Sequence, residues 1–229
     1  MRYLLKTSIA ISAAFASFFN YVSAQPMIQS CKPGYVALTY DDGPNIYTSA
    51  LVKLLNENGI KATFFVNGDN FLQLEDDAEA QDALIEAYRS GHQIASHTWS
   101  HKDLNEISME EFEREISQLE DMIDSLIHVK PPYGSANETT LEILESKGYS
   151  VIEWSTDTKD YETHNLKSEM ENVRNSYSRK NLDEGFIVLS HDVYEQTTVE
   201  LTKRLIAYTL DEGFKFCTVA ECINHPAYQ

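Results

Sequence analysis

One junction, repeated five times, constrains this chain more than any other feature. Asn58-Gly59-Ile60, Ser90-Gly91-His92, Lys147-Gly148-Tyr149, Glu184-Gly185-Phe186 and Glu212-Gly213-Phe214 each close a polar stretch and open a short β-rich run. Glycine fits the left-handed position just past a helix, so each junction reads as a helix stop. The spacing predicts strands at 36–40, 62–66, 93–96, 150–154, 186–190 and 215–219, with a weaker one near 129–132. Period-3.6 stretches between them predict helices at 48–58, 77–90, 109–127, 139–147, 167–178 and 197–211. Strict alternation of this kind implies an α/β fold, a parallel sheet covered by helices, either closed as a barrel or left open. In both cases a site belongs at the carboxyl ends of the strands.

The first 24 residues stand apart. Arg2 and Lys6 precede an apolar centre, and Val22-Ser23-Ala24 supplies the small residues of a cleavage point, as in a secretory signal peptide. The alternative is an uncleaved membrane anchor, but the apolar run is short and broken by Ser and Asn. Residues 25–229 then form a single expected domain, with no later run apolar enough to span a bilayer. The whole chain has 18 basic and 36 acidic residues, and two of the basic ones lie in the leader, leaving −20 on the remainder. Such a charge argues against nucleic acid and anionic membranes and suits a neutral or cationic partner. A monomer is expected. Cys31, Cys217 and Cys222 allow one disulfide and one free thiol; Cys31–Cys222 is the favoured pair, with Cys217 buried in the last strand. Asn137-Glu138-Thr139 is an N-glycosylation acceptor sequence, usable where the host glycosylates.

Residues with useful chemistry fall at the expected strand ends. Leu38-Thr39-Tyr40-Asp41-Asp42-Gly43-Pro44 closes the first strand, and adjacent carboxylates there make sense beside a cation. His97 and His101 close the third, spaced so that one helical turn would align their imidazoles. Two imidazoles and one carboxylate leave coordination positions open for water and substrate. Asp41 and Asp42, as neighbours, are expected to point apart: one ligates and the other stays free to take a proton from water. His191 is the expected general acid, with Asp160 holding its orientation and raising its pKa. Tyr133, behind Pro131-Pro132, offers an N–H to an oxyanion. Trp99, Trp154 and Tyr161 could stack on a sugar, although burial serves Trp154 equally well. His92, His128, His164 and His225 read as surface or packing residues. A two-metal phosphoesterase would need further carboxylates that the chain does not offer.

In this order the motifs at 39–44, 97–101, 130–134, 157–161 and 189–191 resemble those of polysaccharide deacetylases with a NodB homology domain (carbohydrate esterase family 4). KATFFVNG and GHQIASHTWSH are especially similar to fungal chitin deacetylases. The resemblance implies a distorted (β/α) barrel and metal-dependent removal of N-acetyl groups from a glycan, with chitin or its oligomers favoured. It implies Asp41 as base, Asp42, His97 and His101 as ligands of a divalent metal, zinc above cobalt, and His191 as acid. Tyr133, Tyr161 and Leu189 are implied on the substrate side. The protein would be secreted, extracellular or wall-associated. Two departures stand out. Lys130 occupies the place where the family carries an Arg that orients the base, and Lys lacks the planar two-pronged fit to a carboxylate. Only two residues separate it from the helix expected to end at Ile127, so Lys130 need not occupy that place at all. The fourth motif ends in Tyr161 rather than Trp. These departures leave a second reading, a wall-associated member that binds glycan or metal with little turnover.

Overall fold

The computed structural model describes residues 27–122, 128–129 and 132–227; the expected leader, the end of the third helix and Lys130 lie outside these. Strand β1 (Tyr35–Asp41) is central. It pairs with β2 (Thr63–Val66) on one side and β7 (Phe186–His191) on the other, and its start also pairs with β8 (Lys215–Phe216). Beyond β2 follow β3 (Gln93–Ser96), β4 (His128–Val129) and β5 (Ser150–Val151); beyond β7 lies β6 (Thr156–Asp157). Every ladder among the described strands is parallel. The outermost strands, β5 and β6, are separated in sequence only by 152–155, so the sheet curls into an incomplete barrel. Below that gap, Ile28 bridges to Ile152 and Ser30 to Phe186. This is the parallel α/β arrangement that the alternation predicted.

Helices α1 (Thr48–Glu57), α2 (Ala78–Arg89), α3 (Met109–Met122), α4 (Glu138–Ser146), α6 (Leu166–Ser176) and α7 (Thr202–Asp211) fall where expected. The short α5 (Asp160–Thr163) and α8 (Val219–Ile223) were not foreseen. The predicted strand at 215–219 ends early because Thr218 and Glu221 form a reciprocal capping box that starts α8. Of the predicted 150–154 strand only β5 forms, β6 lies beyond it and was not foreseen, and the helix predicted from 197 opens as one π-turn, Thr197–Leu201. Four of the five junction glycines hold positive φ, from 65° at Gly59 to 92° at Gly213. Gly185 does not: it follows a 3-10 turn, and a Cβ there would lie 2.2 Å from the Lys32 carbonyl oxygen. Its missing side chain makes room for the N-terminal segment rather than for a turn.

Alternation along the strands sorts the side chains into two layers. Val36, Leu38, Tyr40, Phe64, Val66, Ile94 and Val188 pack outward under the helices. Ala37, Phe65, Ala95, Ile152 and Ile187 fill the inside, with Val219 and Cys222 of α8 beneath them. Cys31 and Cys222 form the favoured disulfide, and Cys217 is the buried free thiol. The barrel is thus packed and plugged at its lower end. Polar side chains collect at the opposite end, where the strands finish.

Candidate metal centre and active-site cleft

Asp41 ends β1, level with His191 at the end of β7. The next residue breaks the strand, for Asp42 takes φ of 73°. Strict alternation would turn the second carboxylate away; the left-handed turn brings it back beside the first. Both carboxylates thus approach the His97 imidazole, and Asp42 is the one that groups with both histidines. His97 Nε2 lies 3.8 Å from Asp41 Oδ2 and 3.5 Å from Asp42 Oδ1, and His101 Nε2 lies 3.2 Å from that same Asp42 oxygen. The histidine spacing is not helical either. Residues 97–101 form a loop in which Thr98 (φ 73°) and His101 (φ 58°) are both left-handed, and the imidazole centroids are 4.9 Å apart. Asn67, at the end of β2, holds this loop: its Nδ2 donates to the His97 and Thr98 carbonyls at 2.6 and 2.9 Å, and its N–H donates to Gly43 O at 2.8 Å.

Asp42 Oδ1 is buried and has no hydrogen-bond partner. An orphaned carboxylate oxygen is costly in a protein interior, and two imidazole nitrogens converging on it make the trio a fit for a divalent cation. The ligand atoms of Asp42, His97 and His101 all lie within 4.8 Å of one another. Among the described residues the one other such group is Cys31, Cys217 and Cys222, two of which are joined in the disulfide.

Across the cleft the third histidine is held through Nδ1 and its backbone N–H. His191 Nδ1 is 2.7 Å from Asp160 Oδ1, while the His191 backbone N–H and the Thr197 hydroxyl both donate to Asp160 Oδ2 at 2.8 Å. Burial alone pushes the imidazole pKa down. The bond to Asp160, with the charges of Asp160, Asp41 and Asp42, outweighs it and raises the pKa to about 9. The π-turn places Thr197, and Thr202 donates to the Thr197 carbonyl. Asp192, the next residue along, is 1% exposed; burial first and then the Asp42 charge push its carboxyl up to about 7. Thr48 donates to one of its oxygens, and a Cβ on Gly43 would fall 2.2 Å from the other. Gly43 therefore lets the Asp42 turn sit against Asp192.

Asp41, Asp42, His97, His101, Tyr133, Trp154, Tyr161, Leu189 and His191 line one cleft of about 350 Å³. Tyr133 is left-handed (φ 60°), 70% exposed, with its ring 4.9 Å from that of His101. Tyr161 donates to Asp157 Oδ2 and its ring meets His191 edge-on at 5.4 Å. Trp154 is half-buried at the cleft wall, whereas Trp99 packs over Gly68. His92 is a satisfied packing residue: it accepts from Ala62 N–H, and burial pushes its pKa down to about 4. Two larger depressions, about 810 Å³ near His92 and Asn224 and about 610 Å³ near His164 and Glu200, bring together no such ligand set. Sequence reading missed Asn67, Thr197, Asp192 and Glu115. Asn67 and Asp192 each directly follow a strand, where position alone could have marked them.

A curled parallel sheet with an Asp-His-His cluster on one wall and a His–Asp pair on the other is the arrangement of a hydrolytic centre. The family model described as polysaccharide deacetylase matches residues 29–152, and the chain belongs to that family. It is 37% identical over 207 residues to the chitin deacetylase of Colletotrichum lindemuthianum, covering 87% of this chain and 83% of that one. A solved structure of the chitin deacetylase from that fungus superposes with a TM-score of 0.84 at 36% identity, covering 90% of this chain and 96% of the other. A probable peptidoglycan-N-acetylglucosamine deacetylase from Arthroderma benhamiae is 38% identical over 87% of this chain, which spans 46% of that protein.

Proposed function

We propose that this protein is a secreted chitin deacetylase that hydrolyses N-acetyl groups of chitin or its oligomers to acetate and free amine. The observation that carries the reading is the buried, unpartnered Asp42 Oδ1 between two imidazoles, with Asp41 beside it and the His191–Asp160 pair opposite. Asp42, His97 and His101 would hold a divalent cation, zinc by the chemistry of the donor set, with cobalt an acceptable substitute. Such a cation supplies Lewis acidity, making water a better nucleophile near neutral pH and polarising an amide carbonyl.

The residues of the chain do the rest. Asp41 accepts the proton that water loses as its oxygen bonds to the acetyl carbon. The Tyr133 backbone N–H faces the oxygen on which negative charge develops. His191 Nε2 gives a proton to the nitrogen as the C–N bond breaks, so the sugar leaves as an amine and the acyl group as acetic acid, ionised to acetate. Asp160 keeps the imidazole oriented and charged, and Thr197 fixes Asp160. Tyr161, Trp154 and Leu189 contact the sugar. The fungal relatives favour chitin as the polymer, the acidic surface disfavours anionic ones, and the leader and disulfide support export. None of the described helices is long and apolar enough to cross a membrane, and a monomer suffices because one chain supplies the whole cleft.

Mass spectrometry of N-acetylglucosamine oligomers, with and without zinc, tests the reading beside an Asp41→Asn control. Products lighter by whole acetyl groups, absent with the control and after chelation, are expected; unchanged oligomers with zinc demonstrably bound would sink it. The departure at Lys130 favours the second reading, a binding protein with little turnover. Lys130→Arg separates the two: a large gain in rate means that the lysine limits catalysis.

A further inference from the structure

The loop carrying both histidines cannot hold its own shape. Thr98 and His101 are both left-handed, a conformation that costs non-glycine residues on the order of 1 kcal/mol each. Asn67 secures the first half of the loop. Trp99 is held through its backbone, its carbonyl accepting from Gly68 and Asp69 N–H at 2.9 and 2.8 Å, and Ser100 rests on one carboxylate from outside every motif at the strand ends. In α3, Phe112, Ile116 and Leu119 form the buried stripe, and Glu115 sits on it. A glutamate in the apolar stripe of an amphipathic helix needs a reason. Glu115 is 1% exposed, and both its oxygens are used by the residue just before His101. Oε2 accepts from Ser100 N–H at 2.7 Å and Oε1 from the Ser100 hydroxyl at 2.6 Å. The Glu115 carbonyl accepts from Trp99 N–H at 2.8 Å. Lys102 Nζ stands 3.9 Å from Oε1, while its own bond goes to Glu111. Charge-assisted bonds of this kind are strong and directional.

We infer that Glu115 is a positioning residue for the cation site: by gripping Ser100 it fixes where the His101 imidazole lies relative to His97. The inference rests on the proposed reading of Asp42, His97 and His101 as ligands. Groups behind metal ligands typically change affinity by about 10- to 100-fold when removed. A merely structural anchor would instead lower the stability of the metal-free chain and leave affinity alone.

The test is zinc affinity, measured on the full chain by competition with a chromogenic chelator, alongside melting of the metal-free protein. Glu115→Gln keeps size but loses one acceptor oxygen, and Ser100→Ala removes only the hydroxyl. Glu113→Gln, on the exposed face of the same helix where it pairs with Lys147, is the control. The expected result is zinc binding weakened about 10- to 100-fold in Glu115→Gln, less in Ser100→Ala and not at all in Glu113→Gln. At saturating zinc, KM for an N-acetylglucosamine oligomer should match the parent chain. If the parent chain binds zinc tightly and Glu115→Gln, or Ser100→Ala should Glu115→Gln not fold, binds within twofold of it, the inference is overturned. Failure of the parent chain itself to bind zinc overturns the ligand reading, and this inference with it.

Discussion

The two walls of the cleft are built on opposite terms. On the His191 wall the central pair is closed within the protein: Asp160 accepts three hydrogen bonds and the imidazole has its counter-charge. On either side of His191, Ser190 Oγ and Asp192 Oδ1 are buried without a hydrogen-bond partner. On the Asp42 wall two carboxylates crowd two imidazoles, Asp42, Thr98 and His101 are left-handed, and Asp42 Oδ1 and Thr98 Oγ1 are buried without a hydrogen-bond partner. The His191–Asp160 pair is complete as it stands; the Asp42 cluster is arranged for a positive charge that its own side chains do not carry. Strand geometry explains part of the contrast. His191 ends a ladder paired on both sides, whereas Asp42, His97 and His101 all lie beyond their strands, where only loops and their anchors decide position.

If the contrast is real, damage to the Asp42 wall should have the largest consequence. Asp42→Ala or His97→Ala should abolish zinc binding and lower kcat on the order of a thousandfold, several kcal/mol of lost Lewis-acid stabilisation. A chelator-competition assay beside a deacetylation assay reads both. Asp41→Asn should cost about 10²- to 10⁴-fold in kcat and leave zinc bound, separating the base from the ligands within one wall.

On the opposite wall, Asp160→Asn should leave zinc affinity unchanged, lower kcat about 100-fold and move the alkaline limb of the pH profile. The sign follows from the cause. Asp160 holds the His191 pKa up, at about 9, so its loss lowers that pKa and the limb shifts to lower pH. In the parent chain the limb should lie at or below about pH 9, because a cation offsets the pull of Asp42. A limb unmoved by Asp160→Asn would detach the acid role from this pair.

Stability offers a further probe. Free zinc at a hundred times its Kd should raise the melting temperature by about 5 to 10 °C in the parent chain, and not at all in His97→Ala. The smallest effect is expected at the rim. Tyr161→Phe removes the bond to Asp157 but keeps the ring against His191, so a change of about threefold or less in kcat/KM should result.

Much of this was written plainly in the chain. The five glycine junctions foretold the alternation, and the strand-end rule located Asp41, Asp42, His97, His101 and His191 on one face. Glu115 was legible too, as a charge on a helical stripe with Phe112, Ile116 and Leu119, had the stripe been read for its exception. Other features were not legible. Gly185 carries the same local signature as its four counterparts, yet answers to the Lys32 backbone, more than 150 residues away in sequence. Lys130 lies outside the described residues, and its role stays an expectation drawn from the sequence.

Local periodicity and turn chemistry therefore determined which elements form and at which end of the sheet the chemistry gathers, because period 2, period 3.6 and a helix-stopping glycine are properties of neighbouring residues. Tertiary structure alone decided how the site is aimed. Turning Asp42 back beside Asp41, bending the histidine loop through two left-handed residues and closing the His191–Asp160 pair each depend on groups far off in sequence. Asn67, Glu115 and Thr197 supply them, and the sequence pattern around the loops they hold does not announce which partner will arrive.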